Sequence, residues 1–109
     1  RDSAKYASEF DKFNSSLISD IKENKHVNTN NDEKTIIFED GTTYKYNVED
    51  EGLYRGKNKI ASHVKYFTVT SKTITISNVN KEIVTVHIII GDSSKSLLDK
   101  QIDYTLRYW

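Results

Sequence analysis

The side chains that could do chemistry are thinly spread along this chain. Of its three histidines, His26 falls in a polar stretch, His63 just before a strand-like run and His87 inside one. None has a second ligand at i+2 or i+4, and with no Cys present no thiolate could complete a zinc site. An isolated His also lacks the positioned partner that general acid–base catalysis needs. No Gly-x-Ser-x-Gly elbow strains a serine outward. Carboxylates adjoin only in turn-like runs, Glu39-Asp40 and Glu49–Glu51, whereas an acid–base pair needs partial burial to separate its two titrations. Four Gly form no phosphate-binding loop. These features point away from an enzyme, and they imply no cofactor and no metal.

Two weaker signals remain. The acidic turns and Gly91–Ser94 offer hard oxygens to Ca²⁺, but without the ligand spacing of a calcium loop. Arg55, Lys57, Lys59, His63 and Lys65 form a basic cluster, with Tyr54 and Tyr66 close by in sequence. One reading is a nucleic-acid or anion contact at Arg55, Lys57 and Lys59, with the tyrosines stacking on bases. The other is a solvated basic edge that discourages strand-on-strand aggregation.

The elements that must position these residues follow from periodicity. The 109 residues suffice for one domain, 1–109, with a single modest core to which seven Tyr contribute apolar area. Sixteen basic and sixteen acidic residues cancel, so no overall field draws the chain to nucleic acid or to an acidic membrane. No run reaches the length of a membrane span. From residue 2 to 25 the pattern is helical. Tyr6, Phe10, Phe13, Leu17 and Ile21 recur at three- and four-residue spacing and form the stripe expected to hold a sheet. Ala7 and Ile18 lie off that stripe, as core margin or as a contact for a neighbouring molecule. Residues 24–33 read as a polar loop.

From residue 34 to 109 the chain reads mainly as antiparallel strands. Asp40-Gly41 marks a hairpin between 34–38 and 42–48, with Tyr44, Tyr46 and Val48 on one side. Leu53-Tyr54-Arg55 follows as a short returning strand after the acidic turn. A two-residue turn at Ser71-Lys72 and a three-residue loop at Val79–Lys81 would put Phe67, Val69, Ile74, Ile76, Val84, Val86, Ile88 and Ile90 on one core face. Ile83, Thr85, His87 and Ile89 then face the other way, on a surface apolar enough to expect partial cover. Gly91–Ser96 reads as a loop, and 101–109 as a last strand with Ile102, Tyr104, Leu106 and Tyr108 on one side. The expected architecture is α+β: one N-terminal amphipathic helix packed on an antiparallel β-sheet.

This order of elements resembles the soluble part of a type IV pilin-like protein. It is most similar to minor pilins and pseudopilins, including those of Gram-positive competence and type IV pilus systems. The residues that carry the likeness are Tyr44–Tyr46, the acidic turn, Leu53–Arg55 and Ile60–Val69. The resemblance implies a pilin-like fold and a structural subunit that initiates, caps or decorates an extracellular, cell-surface filament used in adhesion, motility, DNA uptake or secretion. Its partners would be other pilin subunits, with Ala7 and Ile18 as filament contacts. It also implies a hydrophobic segment ahead of Arg1, cut by a prepilin peptidase, that anchors the subunit in the membrane before assembly. A first residue of Arg and the lack of Met fit that expectation. Without the segment, the isolated domain should be monomeric. A different class of reading is a secreted or surface-anchored module that binds DNA or glycan through the basic cluster.

Overall fold

A computed structural model describes residues 2–92 and 95–106. One helix, α1 (Asp2–Glu23), is followed by eight strands: β1 (Val27–Thr29), β2 (Thr35–Phe38), β3 (Thr43–Asn47), β4 (Gly52–Arg55), β5 (Asn58–Ala61), β6 (Val64–Ile76), β7 (Val79–Asp92) and β8 (Lys95–Leu106). All neighbours pair antiparallel and in sequence order, but in two sheets, β1-β2-β3-β4-β5 and β6-β7-β8. This corrects the expectation of one pilin-like sheet under a helix: the fold is β-rich, with one helix and two sheets. The split falls at Ser62-His63. His63 has φ +61, a left-handed conformation that turns the chain out of the first sheet before β6 begins.

The two sheets share no ladder and touch through single backbone bonds. Val64 N–H donates to Glu51 O (2.9 Å), and Val69 N–H donates to Glu33 O (2.8 Å). The core between them is closed by α1. Phe13, fully buried, sets its ring edge-on to Tyr44 of β3 (6.1 Å, 83°) and to Phe67 of β6 (5.9 Å, 89°). Tyr46 packs on Phe67 from the first sheet (5.9 Å), and its hydroxyl donates to Val64 O at 2.6 Å. Tyr6, Phe10 and Leu17 are buried with Phe13, whereas Ile21 is only partly covered. The helix ends where the Asn24 side chain donates to the Asp20 carbonyl (2.9 Å), satisfying one of the last free C=O groups.

Strand order and register differ from the sequence reading at definite places. β1 lies inside the stretch read as a loop, with Val27 buried and paired to Phe38. β5 pairs with β4 across the Gly56-Lys57 turn, so the basic segment is half hairpin and not a loop. Gly41, at φ +95, closes the β2–β3 hairpin near the expected place, but Val48 is exposed beyond it. The long hairpin turns at Ser77-Asn78, not Ser71-Lys72. Both turn residues have positive φ (+52 and +65), the backbone of a two-residue turn that matches strand twist. The three-residue loop at Val79–Lys81 is therefore strand. Phe67 opposes Ile88, Val69 opposes Val86 and Ile76 opposes Val79. Phe67, Val69, Val84, Val86, Ile88 and Ile90 remain core, while Ile74 is half-buried and Ile76 is 56% exposed on the other face. β7 runs on through Gly91 to Asp92 and β8 begins at Lys95, where a loop was expected. Ser93, Ser94, Tyr108 and Trp109 lie outside the described residues.

Phe13 and Ile76 give opposite predictions. Phe13→Ala should lose about 3–5 kcal/mol of unfolding free energy in urea titrations. Ile76→Ala should change it by less than about 0.5 kcal/mol. A loss of several kcal/mol at Ile76 would restore the register in which it is core.

Candidate functional site

The buried stripe of α1 does not continue through Ile21. From Phe13 and Leu17 it passes to Asp20 and Asn24, both buried polar residues at the same three- and four-residue spacing. The Asp20 carboxylate accepts three hydrogen bonds from two residues. Arg55, on β4, donates from Nε to Oδ2 (2.9 Å) and from Nη2 to Oδ1 (3.0 Å), a two-pronged ion pair. The Tyr44 hydroxyl donates to Oδ2, and Ser16 Oγ lies 2.6 Å from that hydroxyl. With the phenolic proton directed to Asp20, Ser16 is the donor to Tyr44. Asn24 extends the network to the β2–β3 turn: its Nδ2 donates to Asp40 Oδ2 (3.1 Å), and its Oδ1 accepts from Asp40 N–H (3.2 Å).

Electrostatics follow the geometry. The Arg55 hydrogen bonds hold the Asp20 carboxyl below its ordinary range, and Tyr44 adds to this against the opposing effect of burial. Burial first, and the adjoining Asp20 second, push the Tyr44 phenol up. Arg55 is raised in turn by Asp20. At neutral pH the site is therefore an ion pair capped by a neutral phenol, with two donors on Asp20 Oδ2 and one on Oδ1. That arrangement fastens helix to sheet.

The opposite end of the helix is fastened by the same stretch of chain. Ser62 N–H donates to Glu9 Oε1 at 2.6 Å, and the His63 ring packs 6.1 Å from Tyr6. Between the two ends, Leu53, Ala61, Val64 and Phe67 are buried in the common core. On the far side Tyr104 of β8 donates to Asn14 Oδ1 (2.6 Å), and Lys100 Nζ lies 5.9 Å from the centre of the Phe10 ring.

The basic cluster is not assembled into one surface. Arg55 is turned to Asp20. Lys59 lies 3.6 Å from Asp50 and 5.9 Å from the Tyr54 ring centre, Lys65 pairs with Glu51 at 2.9 Å, and Lys57 is exposed on its turn. The Tyr54 hydroxyl donates to Asp50, while Tyr66 sits on the second sheet beside His87. Acidic turn and basic hairpin thus face each other, which explains why the two runs coexist. Ala7 is half-buried. Ile18 is 37% exposed, on a groove of about 530 Å³ that it lines with Ile21, Lys22, Tyr104 and Thr105. Among the described residues there is no group of three or more His, Cys, Asp or Glu placed to hold a metal ion, and no helix long and apolar enough to cross a membrane.

Asp20, Ser16 and Asn24 are not singled out by the sequence reading, and Tyr44 is read there only as a strand residue. The available signal was two polar residues continuing an aromatic stripe at helical spacing. No protein family, curated protein or solved structure matches the chain.

Because the folded Asp20 carboxyl titrates below its unfolded value, its stabilisation is present above the ordinary carboxylate range and is lost as pH falls through the folded value. Arg55→Met should cost about 1.5 kcal/mol at pH 7, the lower end for charge-assisted hydrogen bonds because Arg55 is part exposed. The gap between variant and parent should close as Asp20 is protonated in acid. Urea titrations from pH 7 to pH 2 check this, and a gap independent of pH would contradict it.

Proposed function

We propose that the protein is a non-catalytic structural subunit, of the minor pilin or pseudopilin kind, that contributes to an extracellular filament. One observation carries the reading. The stretch that bears the resemblance, Leu53–Arg55 through Ile60–Val69, is the one that grips the helix along its length, from Ser62 at Glu9 to Arg55 at Asp20. A filament subunit transmits load between a helix and a globular body, and a two-ended grip of that kind resists rotation of one against the other. Neighbouring subunits would meet the outward side of α1 around Ala7 and Ile18, which the grip leaves uncovered or only half covered. The two-sheet body supplies the rigid support. A subunit of this class works outside the cell, held at the membrane before assembly.

With Arg55, Lys59 and Lys65 each facing a carboxylate, no saturable binding of a short DNA duplex is expected even at low salt. Tight binding that weakens steeply with added salt would instead favour a DNA-binding module.

The test of the proposal uses the full natural chain in its own cells. The subunit should appear in the sheared-filament fraction, and its deletion should alter filament number or function. The 109 residues contain no Cys, so Ile18→Cys introduces a single reporter here. It should cross-link to a neighbouring subunit in filaments. Absence from that fraction, together with unchanged filaments on deletion, would overturn the reading.

A further inference from the structure

β8 is an edge of the second sheet, and it carries none of the devices that usually blunt one. It is 12 residues long, contains neither Gly nor Pro, and keeps an unbroken register against β7 from Leu98 to Leu106. The ladder shows which of its backbone groups lie open. The two-residue turn at Ser77-Asn78 makes Ile76–Val79 a hydrogen-bonded pair, and such pairs alternate along antiparallel strands. Even-numbered residues of β7 from Glu82 to Ile90 therefore direct N–H and C=O to β8. Even-numbered residues of β8 from Leu98 to Leu106 direct theirs back. Asp99, Gln101, Asp103 and Thr105 direct theirs away from the sheet. The same alternation points Val69 N–H away from β7 at the opposite edge, where it is bonded to Glu33 O at 2.8 Å. At the β8 edge no backbone partner is found among the described residues.

We propose that the β8 edge pairs with the same edge of a second copy of the chain, joining two three-stranded sheets into one of six strands. A two-fold axis perpendicular to the sheet sets the two β8 strands antiparallel, with side chains of the same face opposite one another. Any extended segment would satisfy the open backbone; the side chains single out a second copy. With Ile102 on the axis, Leu98 opposes Leu106, Asp99 opposes Thr105, Lys100 opposes Tyr104 and Gln101 opposes Asp103, each pair occurring twice. The whole regular stretch is used, and no like charges meet. A shift that puts Gln101 on the axis sets Asp99 against Asp103. One that puts Asp99, Lys100 or Asp103 there sets that residue against its own copy. Registers centred nearer either end of the strand use fewer of these pairs. The hydrogen-bonded pairs are those whose groups lie open, Asp99–Thr105 and Gln101–Asp103. On the helix side Lys100 is exposed and Leu98 and Ile102 are half-buried, so α1 does not seal that margin of the strand.

The length of the contact sets its strength. Pairing over roughly 30 Å of strand, with one row of side chains on each face, buries on the order of 800–1,000 Å² in total. That is below a standard stable interface. The association is therefore weak, with a Kd on the order of 10⁻⁴ M, so the domain is monomeric when dilute and pairs when copies are crowded. This inference does not depend on the filament reading, whose contacts would lie around Ala7 and Ile18.

Sedimentation velocity tests it, from about 10 µM to about 1 mM protein, with circular dichroism and thermal melting as controls for folding. The weight-average mass should rise from 12.6 kDa toward twice that value. Gln101→Pro removes an outward N–H and none of the bonds to β7, and should weaken association about tenfold or more. Gln101→Lys and Thr105→Lys, both at exposed positions, bring a lysine opposite the partner's Asp103 and the partner's Asp99. Each should tighten association about threefold or more. The chain has no Cys, so Ile102→Cys introduces one thiol on the axis, at a spacing that a cross-strand disulfide fits. Oxidised glutathione should link that variant into a covalent dimer far faster than a Val48→Cys variant, whose thiol lies exposed on the first sheet's hairpin. A mass fixed at the monomer value up to about 1 mM would overturn the proposal, as would association indifferent to Gln101→Pro. Failure of both lysine variants to tighten association, or linkage of Ile102→Cys no faster than Val48→Cys, would overturn the register.

Discussion

The structure depends on a gap. Two antiparallel sheets that share no hydrogen-bonded ladder face a common core, and they meet directly at Tyr46 and Phe67. α1 closes that core, and Phe13 touches both sheets, edge-on to Tyr44 and to Phe67. A ring in that position forms two favourable edge-to-face contacts and excludes water from both faces at once. Hydrophobic contact is non-directional, however, and a stripe of rings alone leaves the helix free to rotate or slide. Directional bonds remove that freedom: Asp20 to Arg55 and Tyr44 near one end, Glu9 to Ser62 near the other, and Asn14 to Tyr104 on the far side.

Packing and polarity therefore divide the work. The apolar stripe supplies most of the free energy, and the polar pairs select one orientation. Asp20 illustrates the balance. A carboxylate this deeply set would be costly if unpaired, but two prongs of guanidinium and a phenol meet its oxygens. The Arg55 side chain keeps part of its surface in water, which limits the cost of the pair and also the energy it returns. The network is best understood as a positional lock and not as a main source of stability.

The parts legible in the sequence were those governed by local periodicity. The aromatic stripe of the helix, the Asp40-Gly41 hairpin and the alternation of Val84, Val86, Ile88 and Ile90 each carry their own signal within a few residues. What stayed hidden depended on partners far along the chain. Arg55 reads as a free cation until Asp20, 35 residues away, is brought beside it. β1 and β5 are short and at least half polar, with Asn28, Thr29, Asn58 and Lys59, so only pairing with a neighbour makes them strands. The Ser77-Asn78 turn contains no Gly, and the apolar Ile74 and Ile76 before it make a core register attractive. The division into two sheets hangs on one left-handed residue, His63, whose conformation has no signature in composition.

Asp20 and Arg55 act on one another directly, as the lock between helix and sheet. A double-mutant cycle with Asp20→Asn, Arg55→Met and the double variant, each unfolded in urea at pH 7, isolates that coupling. A favourable coupling of about 1–1.5 kcal/mol is expected, with the double variant less destabilised than the sum of the singles. Additive losses, with coupling indistinguishable from zero, would contradict it.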